Sequence, residues 1–250
     1  MSPATGVAAR GLALGYGGEP VLEEVDFSAG AGTTVSVLGP NGGGKTTLFK
    51  GLLGELAPVR GTAATAGRPA YVAQTDRTRL DFPVTALDVA LMGSLARGRW
   101  WLPPRRSDRA LAREALERVG LADEAFTRFG QLSGGQRQRT LIARALVQDA
   151  AVLLLDEPLA GVDPASADRI EAVFAELRAE GRTLLVSTHD VESAARHDLV
   201  LCLNRRQVAF GPPAEVLVRQ TLEATYGSEI VVIDDGTGSV RAIAVGHHAH

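Results

Sequence analysis

The sequence has a single cysteine, Cys202 in the apolar run "LVLCLN", so no disulfide closes within the chain and a reducing compartment suits it. The plain reading of that thiol is a buried strand residue. Aromatic residues are only 5% of the chain, and the formal net charge of −3 supplies no basic field. That balance argues against a dedicated nucleic-acid binder, and no nucleic-acid partner is expected. No apolar run is long enough to cross a bilayer, because the most apolar stretch, "AAVLLLDEPLAGV", is broken by Asp156, Glu157 and Pro158. The opening "MSPATGVAARGLALGYGG" lacks a charged start followed by an apolar core, so no signal peptide is expected. Any membrane role must come through a partner. Internal repeats and low-complexity tracts are also missing.

What remains is a 250-residue chain with 45% hydrophobic content, enough for a sizeable core. "VLEEVDFSA" and "TTVSVLGP" read as strands, and Lys45 to Gly54 reads as a helix. The runs "AVLLLD", "TLLVS" and "LVLCLN" alternate with helical segments, which predicts a mainly parallel α/β sheet with crossovers. A helix is predicted from Pro164 to Glu180, with Asp163 as its cap, an apolar stripe of Ile170, Val173, Phe174 and Leu177, and Gly181 as its stop. Asp76 to Gly130 reads as an inserted helical subdomain holding the amphipathic "DRALAREALERVG" and the basic loop "RGRWWLPPRR". "EIVVIDDGTGSVRAIAV" reads as a terminal hairpin.

"GPNGGGKTT", Gly39, Pro40, Asn41, Gly42, Gly43, Gly44, Lys45, Thr46 and Thr47, falls between a strand and a helix. In that context the glycines let backbone N–H groups wrap a phosphate, Lys45 approaches it as a point charge, and the Thr46 hydroxyl suits Mg²⁺. Gly43 stands where many such loops carry a small side chain, and a looser loop is expected there. "VLLLDEP" delivers carboxylates to the C-terminal sheet edge, where Asp156 supports Mg²⁺ and Glu157 polarises an attacking water. His189, after "TLLVST", reaches the same edge and suits a hydrogen bond to a terminal phosphate. Gln74 ends another short strand within reach of Mg²⁺ or water, and Tyr16 suits stacking on an adenine ring. Taken singly, each of those last three residues has an ordinary structural explanation. "QLSGGQRQRT" adds a second anion site, because Ser133, Gly134, Gly135 and Gln136 precede or open a helix whose N-terminus carries free N–H groups.

In order along the chain, Tyr16, "GPNGGGKTT", Gln74, "LSGGQ", "LLLDEP", Asp163 and His189 resemble the nucleotide-binding subunit of ATP-binding cassette (ABC) transporters. The resemblance covers nearly the whole chain. It implies a P-loop NTPase core with an antiparallel β subdomain and an inserted α-helical subdomain at about 76–140, the cassette running over 1–227 and a C-terminal hairpin and histidine-containing tail over 228–250. It implies ATP and Mg²⁺ as ligands, with Glu157 as general base, His189 and Lys45 on the terminal phosphates, and Thr46, Gln74 and Asp156 toward the metal. A second copy, paired head to tail, would bring Ser133, Gly134 and Gly135 over the nucleotide held by the first, with Asp163 at the contact. A membrane permease and, through it, a substrate-binding protein are the implied partners, which places the chain on the inner face of the membrane. "DFPVTALDVALMG", the basic aromatic loop, "LAGVD" and "LEATYG" resemble the manganese, zinc and iron importer branch, with importers of chelated iron or cobalamin and soluble ABC ATPases as alternatives. Trp100 and Trp101 read either as packing or as a partner contact, and "HHAH" at His247 to His250 has metal-binding composition.

Overall fold

The computed structural model describes residues 5–73, 82–97, 104–227, 230–234 and 240–244. Gln74, Trp100, Trp101 and His247 to His250 lie outside them.

Three strands, β1 (Thr5–Tyr16), β2 (Glu19–Gly30) and β4 (Pro58–Thr65), form an antiparallel sheet in the order β2-β1-β4. The larger sheet takes β3 (Thr34–Leu38), β5 (Ala70–Val72), β6 (Val152–Asp156), β7 (Thr183–Thr188), β8 (Leu199–Leu203) and β9 (Gln207–Gly211) in the order β5-β6-β7-β3-β8-β9. Its first five strands are parallel, and β9 pairs antiparallel with β8 at one edge. This α/β core with an antiparallel sheet beside it matches the expected fold class. β10 (Ile230–Asp234) and β11 (Val240–Ala244) pair as a separate antiparallel ribbon.

Every residue of β3 and β6 is buried, which is why these segments read as unbroken apolar runs. Side chains still alternate between the two faces of the sheet. Leu153 and Leu155 join a core shared with α2 (Ala86–Leu91), α3 (Arg106–Arg118), α4 (Gly134–Gln148) and α5 (Pro164–Ala179). Val152 and Leu154 point the other way, into a core closed by α1 (Lys45–Leu52) and the antiparallel sheet. Truncating a fully buried leucine such as Leu153 or Leu154 to alanine costs about 2–5 kcal/mol.

The predicted helix after Asp163 forms as α5, with the Asp163 carboxylate accepting the Ser166 N–H at 3.0 Å and Pro164 at its first position. Ile170, Val173, Phe174 and Leu177 are its buried stripe, and Gly181 follows at φ 84°. Two further helices, α6 (Val191–Ala194) and α7 (Pro213–Val216), are single turns, and α8 (Arg219–Tyr226) packs against β8, β9 and β10. Among the described residues no helix is long and apolar enough to cross a membrane.

Candidate active site

The parallel strands end at one edge, and their register decides which side chains meet there. Leu38, the last residue of β3, pairs with Thr188 of β7, while Asp156 of β6 pairs with Ser187 of the same strand. The loop after β3 therefore lies beside the residues that follow β6 and β7.

Gly42 and Gly44 hold φ of 77° and 104°, a left-handed region that side-chain-bearing residues rarely enter, and the chain there turns into α1. Gly43 is not loose: its N–H donates to Pro40 O at 3.0 Å and its carbonyl accepts the Arg205 N–H at 2.9 Å. Lys45 opens the helix with its ammonium donating to Gly39 O at 2.6 Å and Pro40 O at 3.1 Å. Burial pushes its pKa below the ordinary value, against the opposing pull of Glu157 and Asp156.

Pro40, Asn41, Gly42, Gly44, Lys45, Thr46, Thr47, Asp156 and Glu157 wall one open cleft. Thr46 donates its hydroxyl to Asp156 Oδ2 at 3.2 Å. Two residues that sequence reasoning missed complete the arrangement. Tyr71 donates its phenol to the same Oδ2 at 3.1 Å, and Ser187 donates to Oδ1 at 2.6 Å while accepting the Glu157 N–H at 2.9 Å. Their role arises only from strand neighbourhood, so no local motif signals it.

Glu157 takes φ 47°, an uncommon conformation for a residue with a β-carbon. The turn aims its carboxylate along the sheet edge, where Oε2 lies 3.9 Å from His189 Nδ1. Glu157 also walls a neighbouring cavity with Ser187, His189 and Asp190, so the two openings share it. His189 is largely exposed. Tyr16 projects from the end of β1 with half its surface exposed, and Lys50 sits over its ring at 5.7 Å.

The "LSGGQ" segment is absent from the walls of the cleft that Lys45 and Asp156 share. Ser133 caps α4 reciprocally: its oxygen accepts the Gln136 N–H at 3.2 Å, and Gln136 Oε1 accepts the Ser133 N–H at 2.8 Å. Gln136 also donates to Glu124, so its amide serves the helix start. Gly135 lies against the N-terminus of α5, where an added β-carbon would fall 2.7 Å from Ser166 Oγ and 2.8 Å from Asp163 Oδ2. Hydrogen bonds from Ser166 hold the exposed Asp163 carboxyl below its ordinary range. Two helix N-termini thus stand side by side, apart from the cleft.

A strand, a glycine loop closing on a buried lysine, a helix, and an acidic strand end beside it define a P-loop nucleotide-binding protein. A model of the ABC transporter family matches residues 22–160. The manganese transport system ATP-binding protein MntB of Bacillus subtilis is 37% identical over 245 residues, 94% of this chain and 96% of the relative. The zinc transport system ATP-binding protein TroB of Treponema pallidum is 40% identical over 228 residues, 88% and 86% of the two chains. A solved structure described as a metal-chelate type ABC transporter in an inward-facing conformation superposes with a TM-score of 0.83 at 27% identity, covering 97% of each chain. The chain belongs to the ABC transporter family. It binds ATP and hydrolyses it as one component of a transport system.

Proposed function

We propose that this chain is the ATPase of an importer for a transition metal, manganese or zinc before iron. The relatives named for manganese and zinc transport support the substrate class over nearly the full length of the chain. The helical region around 76–140 is the side offered to a membrane permease, with a substrate-binding protein beyond it, and the chain is held on the inner face of the membrane by that contact. Residues 1–227 form the cassette and 228–250 a C-terminal addition. The metal-chelate type neighbour, with a relative named for chelated iron transport, keeps a chelated-iron importer as the second reading.

The observation that carries the catalytic reading is the division of parts within one chain. Lys45, Thr46, Asp156 and Glu157 share a cleft, while Ser133, Gly134 and Gly135 present a capped helix N-terminus elsewhere. A second copy set head to tail brings that N-terminus, with Asp163 beside it, over the terminal phosphate. The Lys45 ammonium and the amides of Gly42 to Thr47 bind phosphate, and Tyr16 stacks on the adenine. Thr46 and Asp156 are 3.2 Å apart and offer hard oxygen donors that fit Mg²⁺, with Gln74 as a further oxygen from its motif position. Bound there, the ion neutralises phosphate charge. Glu157 takes the proton of the attacking water, held in place by its backbone bond to Ser187, and His189 contacts the terminal phosphate. Closing two copies on nucleotide and reopening after hydrolysis supplies the stroke.

The test is the metal content of cells lacking this chain, grown in metal-limited medium. Manganese or zinc is expected to fall selectively and to be restored by the chain but not by Glu157→Gln. Unchanged manganese, zinc and iron would contradict metal import, and a fall in iron supplied as a chelate alone would select the second reading.

A further inference from the structure

The C-terminal helix α8 ends on Tyr226, a residue outside every nucleotide-binding motif described above. It is 7% exposed and packs with Val191 and Leu222 in a small cluster of its own. Val191 opens α6 two residues after His189, so the tyrosine ring supports the turn that carries His189 and Asp190. On its other side α8 is tied to the central sheet, because Thr225 is fully buried and the helix packs on β8 and β9. Leu38 pairs with both Thr188 and Cys202, which puts the start of the phosphate loop between those two contacts.

The Tyr226 hydroxyl is buried and makes no well-formed hydrogen bond among the described residues. The backbone N–H of Gly39, the first residue of the phosphate loop, approaches it, and the charges of Asp190 and Glu157 act on it from further off. Burial raises the pKa of the phenol well above its ordinary value, so the group stays protonated and able to donate. Burying a hydroxyl without a partner disfavours the fold, and phenylalanine would fill the same space without that cost. The ring explains the packing; it does not explain the oxygen.

We infer that Tyr226 is a positioning residue for ATP hydrolysis, whose hydroxyl links Gly39 to the His189–Asp190 turn when nucleotide draws the two loops together. The hydroxyl accepts the Gly39 N–H and donates toward Asp190, which fixes His189 relative to the phosphate loop. It touches neither nucleotide nor the attacking water. The inference rests on the reading of Glu157 and His189 as hydrolytic residues, and it makes the C-terminal helix part of the catalytic frame.

The experiment measures ATP turnover against ATP concentration, together with thermal melting, for the full chain, Tyr226→Phe and Glu157→Gln. Tyr226→Phe is expected to lower kcat by about fivefold, the loss of one hydrogen bond made in the closed state, with KM for ATP within about twofold of the wild type. Its Tm is expected to hold or rise, because an unpaired buried oxygen has been removed. A structural tyrosine gives a different result: either kcat is unchanged, or kcat and Tm fall together, and either one overturns the inference. Turnover by Glu157→Gln at the wild-type rate would overturn the assignment of the base instead, so the two readings fail separately.

Discussion

Ser187 donates its hydroxyl to Asp156 Oδ1 at 2.6 Å, and the same oxygen accepts the backbone N–H of Glu157 at 2.9 Å. One fully buried serine on β7 therefore orients Asp156, which ends β6, and Glu157, which follows it. Ser187→Ala removes both bonds and leaves a buried carboxylate oxygen short of a donor, so stability should fall by about 1–3 kcal/mol. Turnover should fall with it, and the Mg²⁺ concentration needed for half-maximal turnover should rise. Melting curves and a Mg²⁺ titration of the variant check both, and an unchanged Mg²⁺ dependence would dissociate Ser187 from the pair proposed to hold the metal.

Glu157→Gln keeps the shape of the side chain and removes its basicity. Loss of a general base lowers turnover by about 10²–10⁴-fold. ATP affinity should persist, because Lys45 and the phosphate loop are untouched. Turnover and equilibrium nucleotide binding measured on the same preparation separate the two effects, and near-normal turnover would remove Glu157 from the role of base.

The two glycines that open α4 should respond in opposite ways to alanine. Ordinarily alanine within a helix is favoured over glycine by about 1 kcal/mol. At Gly134 the added carbon meets nothing nearer than Gly161 O at 3.9 Å, so stability should hold or rise. At Gly135 it meets Ser166 and Asp163, displacing the cap of α5, and a loss of about 1–3 kcal/mol is expected. Chemical denaturation of the two variants distinguishes a steric joint from simple propensity; equal effects would deny the joint.

Alkaline stability follows from Cys202. Burial raises its thiol from 9.0 to about 11, so the unfolded chain releases this proton at a lower pH than the folded one. Stability contributed by the protonated thiol is complete below pH 9 and is lost as pH rises toward 11, by about 2–3 kcal/mol in all. Tyr226, raised in the same direction, continues the loss at higher pH. Denaturation midpoints at pH 8 and pH 10.5 for the wild type and Cys202→Ala test the sign, with a flatter alkaline fall expected in the variant. Equal pH dependence in the two chains would exclude the thiol as its source.

The strands β6, β7 and β8 were legible because parallel strands buried on both faces keep an apolar run unbroken. β1 and β4 were not legible as individual strands. Gly11 and Gly61 take φ of 50° and 74°, the pairing slips register around them, and the period-two pattern is lost. β4 is also mostly exposed and carries small residues. The same contrast holds at the site. Residues adjacent in sequence, such as Gly39 to Thr47 and Asp156 with Glu157, can be read from spacing. Tyr71, Ser187 and Tyr226 reach the same place from other elements, and only the strand register and the docking of α8 reveal them. The added Gly43 illustrates a further limit, since composition suggested slack where two backbone bonds hold the loop.

The most direct test of the shared site is the mass of the Glu157→Gln chain in solution with and without MgATP, measured by light scattering alongside the double variant that adds Ser133→Arg. A doubling of mass on MgATP is expected for the single variant and none for the double variant, although both bind ATP. A single variant whose mass ignores ATP, or a double variant that still doubles, would contradict a site completed by Ser133 of a second copy.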